Sequence, residues 1–247
     1  VIIKLLFSKE KKNFFNYVLE YIKLSNAKKI ITFNDNLEWF YKIKIFLPKI
    51  QTFSFQNGFR NKFFFKNLKN YKHLAADKIF VFNEEYGKLF RERIKTKTIK
   101  FGSIKNNFMK KIFLKKKRKS LLFVSFGYRK KEYLASYEKK NGFKFKASVF
   151  YEPEIELFKN VINYCKLKNL TLEVSPKDSS DQNEFKFYKD IAKNFKFIYH
   201  KNSHQNMLTY DLSDQVLASI SSHSTFGPEN LARGNRTAIF NNINIVS

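Results

Sequence analysis

Short apolar runs of strand length alternate with segments of helical spacing along nearly the whole chain. That alternation constrains the fold more than any other feature. Residues 9–26 place Phe14, Phe15, Val18, Leu19 and Ile22 on one side of a helix. Lys28–Phe33 reads as a strand, and Asn34 or Asp35 can cap a helix from Leu37 to about Leu47, stopped by Pro48. Strands follow at Ile50–Phe55, Asp77–Phe82 and Thr98–Phe101, with a helix over Glu84–Arg93. A second series begins with the strand Ser120–Ser125 and a helix from Pro153 to about Leu167. It continues through strand Leu170–Val174, helix 181–193, strand Phe195–Tyr199 and a short helix over 205–211. Strand Gln215–Ile220, a helix ended by Gly234 and strand Arg236–Phe240 complete it. Strands joined through helices pair in parallel, and parallel sheets are covered on both faces. The expected fold class is α/β.

The 247 residues suffice for two ordinary domains. The natural junction is the basic run Lys115–Lys119, so residues 1–112 are expected to form one domain, 113–119 a solvated linker and 120–247 a second. Starting at Val1 and stopping soon after a strand, the chain is expected to be truncated at both ends. Apolar runs such as Leu121–Val124 are far short of a membrane span. Lys4 and Lys9 interrupt the start in a way a signal peptide would not. The single cysteine, Cys165, excludes an intramolecular disulfide framework, fits a reducing compartment and reads as a small buried hydrophobe.

The net charge of +27 raises nucleic acid as a partner. No RNP or KH-like signature accompanies it. Lys, Phe, Ile, Asn and Tyr are abundant together, as A/T-rich codons dictate, so part of the lysine is compositional. The charge is also lopsided. Residues 1–118 hold 29 Lys and Arg against 8 Asp and Glu, whereas residues 119–247 hold 19 against 13. The first half is therefore expected to meet something anionic, a membrane surface or an anionic acceptor as readily as RNA.

Four strand exits carry candidate chemistry. At Gln56-Asn57-Gly58-Phe59-Arg60 the amides offer hydrogen bonds, Gly58 permits close backbone approach and Arg60 suits a carboxylate or phosphate; an ordinary Asn-Gly turn explains the same residues. Gly102-Ser103 with Asn106 and Asn107 is a weaker case of the same kind. Ser125 and Arg129 follow the first strand of the second series, where Arg129 could neutralise phosphate. The fourth exit is Ser224-Thr225-Phe226-Gly227-Pro228-Glu229. Hydroxyls, a glycine and a helix start there make an anion cradle of backbone N–H groups, although Ser224 and Thr225 also read as plain helix caps. Glu229 would accept hydrogen bonds from ribose hydroxyls. His223 is the one histidine beside this cradle. His73, His200, His204 and His223 show no metal spacing with each other or with Cys165. No Walker, G-x-G-x-x-G or G-x-S-x-G pattern occurs.

These segments, with Asp77–Asn83, Gly102–Asn107, Tyr151–Glu154 and above all Ser224–Gly234, resemble bacterial surface-carbohydrate biosynthesis proteins. They are similar to glycosyltransferases of the GT-B fold that build O-antigen and capsular polysaccharides. The resemblance implies two Rossmann-like domains facing a cleft, the first for the acceptor and the second for the nucleotide-activated donor. It implies sugar transfer to a surface polysaccharide or lipid-linked acceptor, with no cofactor and no metal. On it, Ser125, Arg129, Ser224, Thr225, Gly227 and Glu229 are donor-side residues. Gln56, Asn57, Gly58 and Arg60 are acceptor-side, and Asn57, Arg60 and His223 are the catalytic candidates. Related transferases carry a histidine where Asn57 stands, an aromatic where Pro228 stands, and chain beyond Val246, so the general base is unassigned. A cytoplasmic protein is implied, peripheral at the inner face of the membrane, with nucleic acid not expected. A nucleotide-sugar epimerase of the same fold is the rival reading; a basic RNA-binding protein or a non-catalytic fragment are others.

Overall fold

The computed structural model describes residues 13–60, 62–68, 73–127, 148–177, 182–201, 208–222 and 224–240. Two units divide the chain, Val1–Phe108 and Met109–Ser247.

In the first unit the elements are α1 (Phe14–Leu24), β1 (Lys29–Thr32), α2 (Glu38–Phe46), β2 (Gln51–Phe55) and α3 (Lys62–Leu68). After them come β3 (Ala75–Val81), α4 (Glu84–Arg91), β4 (Lys95–Lys100) and α5 (Ile104–Phe108). Asn13 caps α1 and Asn83 caps α4, each side chain accepting from the N–H three residues on. Helix α2 departs from expectation: its N-cap is Leu37, with no side-chain bond. Asp35 is fully buried and bonded to Arg60 instead, so a stronger partner takes it from the cap. Helices α3 and α5 fall in stretches that the periodicity left unassigned. The strands pair in parallel in the order β1-β2-β3-β4.

Strand β2 turns its polar side toward the helices. Thr52 and Ser54 are buried, Thr52 receiving and giving bonds with Asp77 and Ser54 meeting the Tyr41 hydroxyl at 3.2 Å. Phe55 lies on the other side, stacked on Phe80 with ring centres 4.3 Å apart.

The second unit contains β5 (Arg118–Val124), α6 (Ser148–Lys168), β6 (Thr171–Ser175), α7 (Gln182–Ala192) and β7 (Ile198–Tyr199). It ends with α8 (Leu208–Gln215), β8 (Val216–Ser222), α9 (Phe226–Ala232) and β9 (Thr237–Phe240). All pairings are parallel, in the order β7-β6-β5-β8-β9. Alternate residues of β5 enter opposite cores. Leu121 and Phe123 pack with α6 and α7, while Leu122 and Val124 pack with α8 and Phe226. Each large apolar side chain so buried contributes about 1.5–3 kcal/mol. The unit begins at Met109, ahead of the basic run, and Arg118 and Lys119 already belong to β5. Helix α6 starts before Pro153, which lies inside it rather than in its first turn. Cys165 is buried in the α6 core, and desolvation pushes its thiol up to about 11, which keeps it inert.

Candidate functional site

The chain leaves β5, crosses through α6 to β6 on one side, and later returns to β8 on the other side. Strand order therefore reverses between β5 and β8. In an open parallel sheet the crevice beyond the carboxyl ends of such strands is where ligands gather. Ser125, Ser224, Thr225, Gly227 and Glu229 all come from the segments that follow these two strands. Arg129 and His223 lie outside the described residues.

Glu154, on α6 and 6% exposed, ties the two exits together. Its Oε1 accepts from the Phe126 N–H at 3.2 Å and lies 2.8 Å from the Tyr188 hydroxyl, while Oε2 accepts from Ser222. The Tyr188 oxygen is also 2.7 Å from Ser125 Oγ, which in turn accepts from the Gly127 N–H at 2.8 Å. One buried carboxylate thus fixes the backbone after β5 and the hydroxyl that ends β8. Burial, then the charge of Glu154, push the Tyr188 phenol well above its usual range, so it stays a donor. Ser175, at the end of β6, meets Thr209 of α8 at 2.6 Å. Sequence reasoning quoted Glu154 only within a resembling segment and gave it no role. Nothing in a helical glutamate advertises that it will be buried.

A second omission is Lys177, just beyond β6. Its stem crosses Gly127, where an added Cβ would stand 2.8 Å from Lys177 Cδ, and its Nζ lies 5.3 Å from the centre of the Phe126 ring. Gly127 has a φ of 99°, which a side chain would strain. An ammonium group is thereby held over the loop after β5.

The start of α9 is less open than its sequence implies. Thr225 occupies the N-cap without a side-chain cap bond. Ser224 serves instead, its Oγ accepting from the Phe226 N–H at 3.2 Å and its carbonyl from the Gly227 N–H at 3.3 Å. The Glu229 N–H returns to the Thr225 carbonyl at 3.3 Å, and Pro228 has no N–H. The expected set of free N–H groups is therefore taken up locally. What this end presents is hydroxyls. Gly227 is a packing residue, since a Cβ there would meet Ser221 Oγ and Ile239 Cγ1 at 2.8 Å. Glu229 is 7% exposed and accepts from the Tyr210 hydroxyl.

The rest of the motif holds the unit together. Arg233 pairs with the buried Asp214 through Nε and Nη2 at 3.3 and 2.6 Å, and donates to the Met109 and Lys110 carbonyls. Asn235 donates to Asp214 and Asn230, and the Ile112 N–H donates to Asp214 at 2.8 Å. Burial opposes ionisation of Asp214, but Arg233, the Ile112 N–H and Asn235 outweigh it and hold the carboxyl below its usual range. Residues 109–112 are pinned to the second unit by this cluster.

The loop after β2 is also built around an ion pair. Arg60 donates through Nε to Asp35 Oδ2 at 2.8 Å, and through Nη2 to Asp35 Oδ1 and Asn57 Oδ1. The Asn57 N–H donates to Asp35 at 3.1 Å. Gln56, 1% exposed, bridges the Gly58 carbonyl and the Phe82 N–H. The guanidinium fork read as an anion clamp is occupied by the chain's own aspartate, and the Gln56 amide is spent as a bracket. Among the described residues no group of three His, Cys, Asp or Glu side chains is placed to hold a metal ion. Nor is any described helix long and apolar enough to cross a membrane.

A family described as "putative O-antigen biosynthesis protein" matches residues 53–245. No curated protein sequence matches the chain significantly. Among solved structures it is similar to the pneumococcal O-GlcNAc transferase GtfA in complex with UDP and GlcNAc. The identity is 15% and the TM-score 0.53, over 91% of this chain and 44% of that one. A Listeria monocytogenes protein described as "putative UDP-N-acetylglucosamine 2-epimerase" is similar at 12% identity and TM-score 0.53, over 94% and 64%. The S. aureus MnaA–UDP co-structure gives 10% identity and TM-score 0.54, over 92% and 60%. The chain spans less than two thirds of each of these. At such identities the likeness shows the fold, an α/β arrangement of GT-B type with parallel sheets.

Proposed function

This chain belongs to the O-antigen biosynthesis family, and we propose that it moves a sugar from a nucleotide-activated donor to a surface polysaccharide or lipid-linked acceptor. The observation that carries this reading is the strand reversal at β5 and β8, with Glu154 fixing both exits beside Ser224 and Lys177. UDP in the GtfA and MnaA structures supports a nucleotide there.

In this reading the donor diphosphate lies across the exits of β5 and β8. Ser125, Ser224 and Thr225 offer hydroxyls, and Arg129 and Lys177 offset the charge that grows as the bond from the anomeric carbon to phosphate breaks. The acceptor oxygen forms the new bond and gives its proton to a base that is unassigned. Glu229, anchored by Tyr210, faces the ribose. Gln56, Asn57, Gly58 and Arg60 remain on the acceptor side, Arg60 as the residue that shapes the loop. No cofactor is required, since the nucleotide-sugar is itself the activated substrate. A cytoplasmic location follows from the donor.

The epimerase-like neighbour supports a second reading, in which the same site interconverts a nucleotide-sugar without an acceptor. Incubation with a panel of nucleotide-sugars, with and without polysaccharide or lipid-linked acceptors, separates the two. Acceptor-dependent release of nucleoside diphosphate supports transfer. An altered sugar formed with no acceptor sinks it.

A further inference from the structure

A second buried acid reaches past the end of a strand as Glu154 does. Glu184, in the first turn of α7, is 1% exposed, and its Oε1 accepts from the Lys177 N–H at 3.2 Å. A glutamate third in a helix commonly turns back to the N–H of the residue just before that helix. Glu184 holds that place in α7 but reaches seven residues back, to a lysine two positions beyond β6. On α6, Glu154 holds the Phe126 N–H, two positions beyond β5. Val124 and Ser175 are register partners at the ends of these neighbouring strands, so Phe126 and Lys177 stand at matching places past them. Two acids on successive helices thus fasten two adjacent exits, and the fastened loops meet. The Lys177 stem lies against Gly127, and its ammonium is 5.3 Å from the centre of the Phe126 ring.

We propose that Glu184 is a positioning residue for Lys177, fixing the root of that side chain so that its ammonium is aimed over the loop after β5 at the donor diphosphate. The role rests on the reading above, in which Lys177 offsets phosphate charge. At 1% exposure Glu184 is out of reach of substrate and acts through the lysine. A lysine side chain is long and rich in rotamers, and ordering it on binding weakens affinity. With its N–H held by Glu184 and its stem bounded by Gly127 and Phe126, Lys177 has little left to order when phosphate arrives. An acid in a first turn also supports its helix through the dipole, but that role depends on charge and not on which N–H the oxygen meets.

Two substitutions separate the roles. Glu184→Gln keeps the reach and an acceptor oxygen but gives up the charge, whereas Glu184→Asp keeps an acid in the first turn and withdraws its oxygens by one methylene. Helix support makes Gln the harmful change, and positioning makes it Asp. In calorimetric titrations with UDP and uridine, Glu184→Asp should lose about threefold or more of the preference for the diphosphate at unchanged uridine affinity. Glu184→Gln should retain that preference, and Glu184→Asp added to Lys177→Gln should remove nothing further. A second readout needs no nucleotide. In a chain carrying isotope-labelled lysine, the Lys177 ε-methylene resonance, identified by its absence from Lys177→Gln, should carry the ring-current shift of Phe126 in the unaltered chain and in Glu184→Gln. It should lose that shift in Glu184→Asp. A resonance unmoved in Glu184→Asp, a diphosphate preference that survives there, or one lost instead in Glu184→Gln would each overturn the proposal. If the resonance moves as expected but no chain binds a nucleoside diphosphate, the donor reading falls and this role falls with it; the resonance shows that placement itself did not fail.

Discussion

The two units both bury an aspartate–arginine pair near a loop, yet they put it to different ends. In the first, Asp35 and Arg60 close the loop after β2 upon itself, with Asn57 as a third member. In the second, Asp214 and Arg233 lie away from the strand exits and fasten residues 109–112, while a separate set of hydroxyls around Glu154 occupies the exits. Sheet order goes with the contrast. The described strands of the first unit run β1-β2-β3-β4 without reversal, whereas the second reverses between β5 and β8. An ion pair gives a rigid loop, and strand reversal with a satisfied carboxylate gives two strand exits fixed to one buried group. That difference supports the proposal that the nucleotide binds in the second unit.

The largest effect that could break the contrast concerns the ion pairs. Asp214 is fully buried with an arginine side chain 3% exposed, so Asp214→Ala should cost the second unit about 3–5 kcal/mol by stranding Arg233. Arg60 is 13% exposed and water can reach it, so Asp35→Ala should cost the first unit about 2–3 kcal/mol. Urea unfolding followed by probes in each unit measures both. A smaller loss at Asp214 than at Asp35 would reverse the assignment.

Next in size is Glu154→Gln. The amide keeps its volume but puts a donor either against the Phe126 N–H and the Tyr188 hydroxyl or against the Ser222 hydroxyl. A loss of about 1–2 kcal/mol in stability is expected, with about tenfold weaker nucleotide binding. Unchanged binding would detach Glu154 from the site.

The smallest effect is in pH dependence. Asp214 and Glu173 both titrate below their ordinary range in the folded chain. For Glu173 burial is outweighed by His200, Ser120 and Arg118. Groups with depressed folded values contribute stability that is complete above the unfolded value and is lost as pH falls through the folded one. The second unit's melting temperature should therefore decline as pH drops below about 4. Asp214→Asn should lower the midpoint throughout and flatten that decline.

Much of the fold was legible because periodicity reports burial. Most strands and the longer helices stand within a few residues of where alternation puts them, and Asn83 caps α4 as a helix start should. Strand β2 was legible only as a strand. Its phenylalanines suggest a core face, yet Thr52 and Ser54 face the helices because Asp77 and Tyr41 satisfy them. The site was legible as position and not as partnership. Ser125, Ser224, Thr225, Gly227 and Glu229 do come together at one end of one sheet. That Arg60 is spent on Asp35 and that Glu154 links the exits depend on residues about 25 to 70 positions apart, and Gly227 packs between Ser221 and Ile239 of two different strands. Local pattern carries no trace of such pairs.

Calorimetric titration with a panel of nucleosides, nucleoside monophosphates and nucleoside diphosphates tests the central claim, with Lys177→Gln beside the unaltered chain. The account predicts that at least one diphosphate, UDP first, binds about tenfold or more tightly than its nucleoside. Lys177→Gln should lose that preference while keeping the nucleoside's affinity. Binding of nucleoside and diphosphate with equal affinity, or no binding by any member of the panel, would contradict a nucleotide site at the β5–β8 reversal.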